Sequence, residues 1–241
     1  MTIPRFYVPG PWTSDRITFP EKASHHAMRV LRMRNGDEAE VFDGEGRTAR
    51  GRTEFSSEGT VLIAESYPEH GRESPLFITL AQAFVSPDKM EWITEKAVEA
   101  GASRIVFFPA ARSVTKLSGD KLTKRLEKLR ATAVSACEQC GRSRIPEIET
   151  FASAEAMLSG LNADARVILA PSSDPGLALG AARSVVFAVG PEGGFSEEEL
   201  TLADGAGWTR GLLGPRVLRT ETAGLVANAV SGDYDITGSR A

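Results

Sequence analysis

Val185-Val186-Phe187-Ala188-Val189-Gly190-Pro191-Glu192-Gly193-Gly194-Phe195-Ser196-Glu197-Glu198-Glu199-Leu200 is the stretch on which the fold turns. Five apolar residues bounded by Gly and Pro read as a short strand buried on both faces. Gly190-Pro191 ends it, and Gly193-Gly194 permit positive φ and let a ligand lie against bare backbone. Ser196, with Glu199 three residues later, forms a capping box, so a helix opens there. A second stretch repeats the grammar: Leu212-Leu213 closes a strand, Gly214-Pro215 ends it, and Thr220 caps a helix running to about Ser231. Two strand–loop–helix units in succession place a ligand site at the carboxyl ends of neighbouring strands.

The chemistry of that ligand is constrained by what the loops lack. Neither contains G-x-G-x-x-G or G-x-x-x-x-G-K-[ST], and each puts Pro where a phosphate-binding turn wants an amide donor. A ligand rich in ring nitrogens but without phosphate fits better, and an adenosine carrying a sulfonium side chain qualifies. The plain alternative is a pair of ordinary connections between helices and strands.

These two loops resemble the signature of the ribosomal RNA small subunit methyltransferase E family. The residues concerned are Gly190-Pro191-Glu192-Gly193-Gly194-Phe195-Ser196 and Leu213-Gly214-Pro215-Arg216-Val217-Leu218-Arg219-Thr220-Glu221-Thr222-Ala223. Further similarities are His25-His26-Ala27-Met28-Arg29-Val30-Leu31-Arg32, Lys89-Met90-Glu91-Trp92-Ile93 and Glu138-Gln139-Cys140-Gly141-Arg142-Ser143. One mild departure is Glu99-Ala100-Gly101 where the family has Glu-Leu-Gly. The resemblance implies a SPOUT-class, S-adenosyl-L-methionine-dependent enzyme that methylates N3 of a uridine in 16S ribosomal RNA. It implies an α/β fold with a mainly parallel sheet and a C-terminal trefoil knot, preceded by a small PUA/OB-like β-barrel domain. It also implies a homodimer. The cofactor would be held by Pro171 in a third loop, by Gly190, Pro191, Glu192, Gly193 and Gly194, and by Leu213, Gly214, Val217, Leu218, Thr222 and Ala223.

Composition narrows the classes. A chain of 241 residues holds one large or two modest domains. A formal net charge of −4 argues against a protein that coats nucleic acid non-specifically, so RNA contact must come from a local basic patch. No apolar run reaches the ~20 residues that cross a membrane, and no secretory signal is evident, so the reading is cytoplasmic. The three histidines, His25, His26 and His70, lie far from the glycine loops, and the cysteines are only Cys137 and Cys140. A disulfide framework, a zinc site or a Ser–His–Asp triad within the C-terminal part is therefore excluded, and no metal is expected.

Residues 1–70 read as a β domain. Candidate strands are 5–8, 16–19, 39–43, 48–55 and 60–65, with a turn at Gly44-Glu45-Gly46. One helix over about 21–33 interrupts them. It gathers Lys22, His25, Arg29 and Arg32, with Arg34 just beyond, and these with Arg5 and Arg142 are the candidate RNA-binding residues. A solvated helix face is the competing reading. A polar, Pro- and Gly-containing stretch, 67–75, marks the domain boundary, and 75–241 form the second domain. There strands at 76–84, 104–108 and 166–170 alternate with helices at 87–100, 118–140 and 152–161, the pattern of an open parallel sheet. Cys137 and Cys140 fall on the apolar stripe of the 118–140 helix, as buried small hydrophobes. Lys116, Lys121, Lys124, Arg125, Lys128 and Arg130 make the stretch 116–130 basic, read as a solvated face or, beside the first helix, as part of a continuous RNA-binding surface.

Methyl transfer to uracil N3 needs an unpaired base and a destination for the N3 proton. Arg219 is the candidate stabiliser of developing charge and Glu221 the candidate base, against the alternative that Glu221 merely settles at a helix N-terminus. A nicotinamide-dependent oxidoreductase is an open alternative that would need a phosphate-binding glycine loop, which this chain lacks. A non-catalytic RNA-binding or assembly factor would leave the glycine loops unexplained, and transfer to a ribose 2′-hydroxyl stays open. The last helix carries Ala223, Leu225, Val226, Ala229 and Val230 as an apolar stripe, read as the homodimer contact, with Arg142 or its neighbours reaching the partner's pocket.

Overall fold

The computed structural model describes residues 3–57, 59–69, 72–170, 179 and 181–231. The chain forms two compact units, one of Met1–Glu73 with Cys137–Ile145, the other of Ser74–Ala136 with Pro146–Ala241.

The first unit is built on a five-stranded sheet: β1 (Arg5–Tyr7), β2 (Arg16–Thr18), β3 (Glu38–Phe42), β4 (Thr48–Ser56) and β5 (Gly59–Ser66), in the order β1-β3-β4-β5-β2. The ladder is open, with the three-residue strands β1 and β2 at its edges. Along β4, Gly51 and Thr53 turn inward while Arg52 and Glu54 face water, the period-two alternation of a half-buried strand. Inward residues from several strands meet in a core of Phe6, Ile17, Phe19, Val41 and Leu62. The helix expected over 21–33 is two short pieces. Helix α1 (Glu21–His25) runs into a π turn over His26–Val30, where the Leu31 amide donates to the His26 carbonyl at 3.1 Å. Beyond it Arg32 sits at φ 54°, in the left-handed region, and stops the helix before Met33. The segment Cys137–Ile145 completes this unit, the Ile145 amide donating to the Gly44 carbonyl at 3.0 Å.

The second unit is a six-stranded parallel sheet in the order β11-β9-β10-β6-β7-β8. Its strands are β6 (Phe77–Ala83), β7 (Arg104–Phe108), β8 (Glu147–Thr150), β9 (Ala165–Leu169), β10 (Ser184–Val189) and β11 (Thr209–Gly211). Helices α2 (Pro87–Glu99), α3 (Gly119–Cys140, its last turn in the first unit), α4 (Ala154–Gly160) and α5 (Glu197–Gly205) lie between successive strands, and α6 (Thr220–Ser231) follows β11. In β10, Val185 to Val189 are all buried, which explains the unbroken apolar run. Two strands differ from expectation. β8 escapes pattern reading because Ile148 is its only apolar residue. The strand before the second loop is 209–211, and Leu212-Leu213 lie beyond the ladder, which ends where Gly211 pairs with Leu169.

The chain leaves β6 towards β7 and β8, while β10, on the other flank of β6, leads towards β9 and β11. Loops leaving such a switch point diverge and open a crevice at the strands' carboxyl ends. Helix α6 turns Thr220, Gly224, Ala227 and Asn228 inward. A Cβ on Gly224 would stand 3.0 Å from Leu80 Cδ1, so the helix lies close against β6 at this glycine, and any side chain there would push Leu80 aside by a few tenths of an ångström. The expected stripe is therefore not the buried face. Leu225, Val226 and Ala229 are half-buried, and Val230 is 64% exposed.

Candidate active site

A cleft of about 630 Å³ opens at that switch point, within the range of ~300–1,000 Å³ usual for small-molecule sites. Leu169 and Ala170 from the end of β9 form one part of its wall, the loops after β10 and β11 most of the remainder, and Lys89 and Arg112 reach it from α2 and the loop after β7. Of the residues expected to hold a cofactor, Gly190, Pro191, Glu192, Gly193, Gly194, Leu213, Val217, Leu218 and Ala223 line it. Gly214 and Thr222 do not, and Pro171 lies outside the described residues. Both candidate catalytic residues, Arg219 and Glu221, line the cleft.

The glycine loop is held from several directions. The Gly194 amide donates to the Pro191 carbonyl at 2.9 Å, closing a tight turn, and Phe195 anchors its end by stacking on Phe108 at 6.3 Å between ring centroids. The capping box is present in full: Ser196 Oγ accepts from the Glu199 amide at 3.2 Å, and Glu199 Oε2 accepts from the Ser196 amide at 2.8 Å. Glu199 Oε1 takes the Ala111 amide at 2.8 Å, tying the start of α5 to the loop after β7. From that loop Arg112 donates to the Gly193 carbonyl at 2.9 Å. Thr220 differs from its expected capping role. Its hydroxyl donates across the cleft floor to the Gly190 carbonyl at 2.6 Å, while Gln82 Nε2 donates to it at 2.8 Å.

An acidic pair and a shared cation stand at the rim. Lys89 Nζ, on the first turn of α2, lies 2.8 Å from Glu192 Oε1 and 3.2 Å from Glu221 Oε2. Its hydrogen bond to Glu192 raises the Lys89 ammonium above its usual range, burial opposing and Glu221 adding to the rise. The same bond holds the Glu192 carboxyl below the ordinary carboxylate range against its partial desolvation. Lys89 and Arg112 enter the site through folding alone: they lie on other elements, about 80 to 100 residues from the glycine loop, with no periodic signal to join them.

The lining suits a phosphate-free ligand that carries both signs of charge. The side chains of Leu169, Val189, Leu213 and Leu218 offer apolar walls for a purine, and the charged lining is mixed, with Lys89, Arg112, Arg216 and Arg219 beside Glu192, Glu197 and Glu221. Gly194 adopts φ 68°, and among the described residues a Cβ built there meets no atom within 4 Å, so that side of the loop is open to them for a ligand to lie against. S-adenosylmethionine fits these features. A dinucleotide would need amide donors where Pro191 stands.

The candidate RNA-binding residues separate into two groups. Lys22, His25, Arg29, Arg32 and Arg34 are all exposed around α1 and the π turn. Arg5 and Arg142 differ from expectation, because both guanidinium groups are spent inside the first unit. Arg5 pairs with Glu40 at 2.5 Å and donates to the Arg142 carbonyl at 2.7 Å and to Ser143 Oγ at 2.8 Å. Arg142 is 4% exposed and forks onto Glu73 Oε2 at 2.7 and 3.0 Å, so it is not aimed at a partner's pocket. Cys137 is buried and its thiol is pushed up to about 12 by desolvation, which fits a packing residue rather than a redox pair. Among the described residues no cluster could hold a metal ion and no helix is long and apolar enough to cross a membrane.

A family model described as an RNA methyltransferase domain matches residues 72–231, and one described as an RNA methyltransferase PUA domain matches 19–64. Ribosomal RNA small subunit methyltransferase E of Bacillus subtilis (strain 168) is 35% identical over 219 residues, 84% of this chain and 84% of that protein. A methyltransferase from Legionella pneumophila, solved in complex with S-adenosylmethionine, superposes with a TM-score of 0.89 at 32% identity, covering 95% of this chain and 97% of that one. Ribosomal RNA small subunit methyltransferase E from Neisseria gonorrhoeae, solved bound to S-adenosyl methionine, gives 0.85 at 31% identity, covering 95% and 96%.

Proposed function

The chain belongs to the RNA methyltransferase family whose relatives carry the name ribosomal RNA small subunit methyltransferase E, and from that premise we propose that it methylates N3 of a uridine in 16S ribosomal RNA. It is an S-adenosylmethionine-dependent RNA methyltransferase with a PUA-like first unit. The observation that carries the reading is the cleft, with its open glycine backbone, apolar walls and Arg219 and Glu221 at the start of α6.

Bound S-adenosylmethionine supplies an electrophilic methyl group. Gly190, Gly193 and Gly194 on one side and Leu213, Val217 and Leu218 on the other would hold it, and the apolar walls keep water away. Uracil N3 lies on the Watson–Crick edge, so the uridine enters unpaired. Glu221, whose side chain is 16% exposed, accepts the N3 proton, and Arg219 at the exposed rim stabilises the negative charge that spreads over the uracil oxygens. Lys89 keeps Glu221 aligned. Lys22, His25, Arg29, Arg32 and Arg34 contact the RNA backbone. The proposal includes the family's trefoil-knotted C-terminal path, a homodimer and a cytoplasmic site of action.

The test is methylation of small-subunit ribosomal RNA by the purified protein, followed by mass spectrometry of the nucleosides, beside calorimetry of S-adenosylmethionine binding. N3-methyluridine is the expected product. A ribose-methylated nucleoside would move the acceptor to a hydroxyl, and failure to bind the cofactor would leave an RNA-binding assembly factor.

A further inference from the structure

We infer that Gln82, which does not line the cleft, is a positioning residue that fixes its two walls through Thr220. The inference rests on reading the cleft as the S-adenosylmethionine site. Gln82 is fully buried in β6, and its register partner in β10 is Val189, the residue before the glycine loop. Its Nε2 lies 2.8 Å from Thr220 Oγ1, 3.2 Å from the Ala83 carbonyl and 3.4 Å from the Gly190 carbonyl. Two of these partners are carbonyl oxygens, which only accept, so the amide nitrogen and not the oxygen must face them.

That orientation dictates the rest. Thr220 Oγ1 accepts from Gln82, and its own proton is directed to the Gly190 carbonyl, 2.6 Å away. The result is a one-way chain from amide to hydroxyl to carbonyl. Gly190 opens one wall of the cleft and Thr220 opens α6, which carries Glu221. The chain therefore sets the spacing between the glycine loop and the reacting end of α6. Stability alone does not account for the residue: among the described residues the buried Gln82 Oε1 has no hydrogen-bond partner, a desolvation cost that an apolar side chain of similar length would not carry.

The experiment compares wild type, Gln82→Met, Thr220→Val and the double variant in three measurements. These are calorimetric S-adenosylmethionine affinity, hydrogen exchange of the 190–195 amides without cofactor, and thermal midpoint. Gln82→Met should raise Kd about tenfold, the equivalent of one lost hydrogen bond. It should also speed exchange in the glycine loop selectively, with no fall in midpoint. The double variant should be no worse than Thr220→Val, because both changes cut the same chain. Wild-type affinity and loop exchange in Gln82→Met would overturn the inference, as would uniformly faster exchange with a lower midpoint, the mark of a merely structural residue. If Gln82→Met does not fold, Thr220→Val carries the same readouts from the cleft side. Should wild type itself not bind the cofactor, the cofactor reading fails, and the exchange data alone decide whether the chain orders the loop.

Discussion

Gly194 and Glu192, two residues apart, play opposite parts at the cleft. At φ 68° Gly194 is in a region where any side chain costs roughly 1–2 kcal/mol, and a β-branched one also fills the open side of the loop. Gly194→Val should abolish S-adenosylmethionine binding while the protein stays folded. Unchanged calorimetric affinity would remove this loop from the site. Glu192 contributes through charge. Lys89 holds its carboxyl below the ordinary value of about 4.3, so the pair's contribution is complete above that pH and fades as pH falls through the lower folded value. Lys89, raised above its ordinary ~10.4, loses its share only in strong base. With Glu192 half-exposed the gain is below about 1 kcal/mol. Glu192→Gln without cofactor should thus lower the thermal midpoint slightly at pH 7 and not at all in acid below the folded value. A difference that persisted there would assign the effect to shape rather than charge.

At the scale of elements, α1 and the π turn make the sharpest claim, because their cations face water while Ser24 and Ala27 hold them to the sheet. Replacing Arg29, Arg32 and Arg34 together by Ala should weaken RNA binding and flatten its salt dependence by about 2 in log–log slope, at ~0.7 per phosphate contact on a single strand. Cofactor affinity should not change. An unaltered slope would make this a solvated face. The elements themselves are largely legible: Ile105–Phe108 of β7 and Val185–Val189 of β10 are unbroken apolar runs, and the capping box announces α5. Edge strand β8 is not, having one apolar residue, nor is the π turn, which no residue in 26–30 signals. Site residues divided the same way. Glycine and proline mark loops directly, so the cleft's two main walls could be read. Lys89, Arg112 and Gln82 could not, since each acts on a partner about 80 to 140 residues away. Arg5 and Arg142 misled because charge in a sequence does not say which way a guanidinium points.

For the whole molecule, the proposed homodimer rests on the outer side of α6. Its buried face is accounted for by Thr220, Gly224, Ala227 and Asn228, leaving Val226 half-buried and Val230 exposed. Val226→Glu with Val230→Glu should give monomers by light scattering that have lost methyl transfer. A fully active monomer would defeat both the interface and a site completed by the partner. The first unit has a different kind of incompleteness. Residues 137–145 belong to it, and Arg142, Ser143 and the Cys137 carbonyl are what Arg5 is bonded to. A ribosome delivers the chain from its amino end, so the first 73 residues emerge while Arg5 still lacks those companions. The first-made unit is thus finished late, only after residue 145 has cleared the exit tunnel, and a fragment cut at its apparent boundary would leave the Arg5 site open to water.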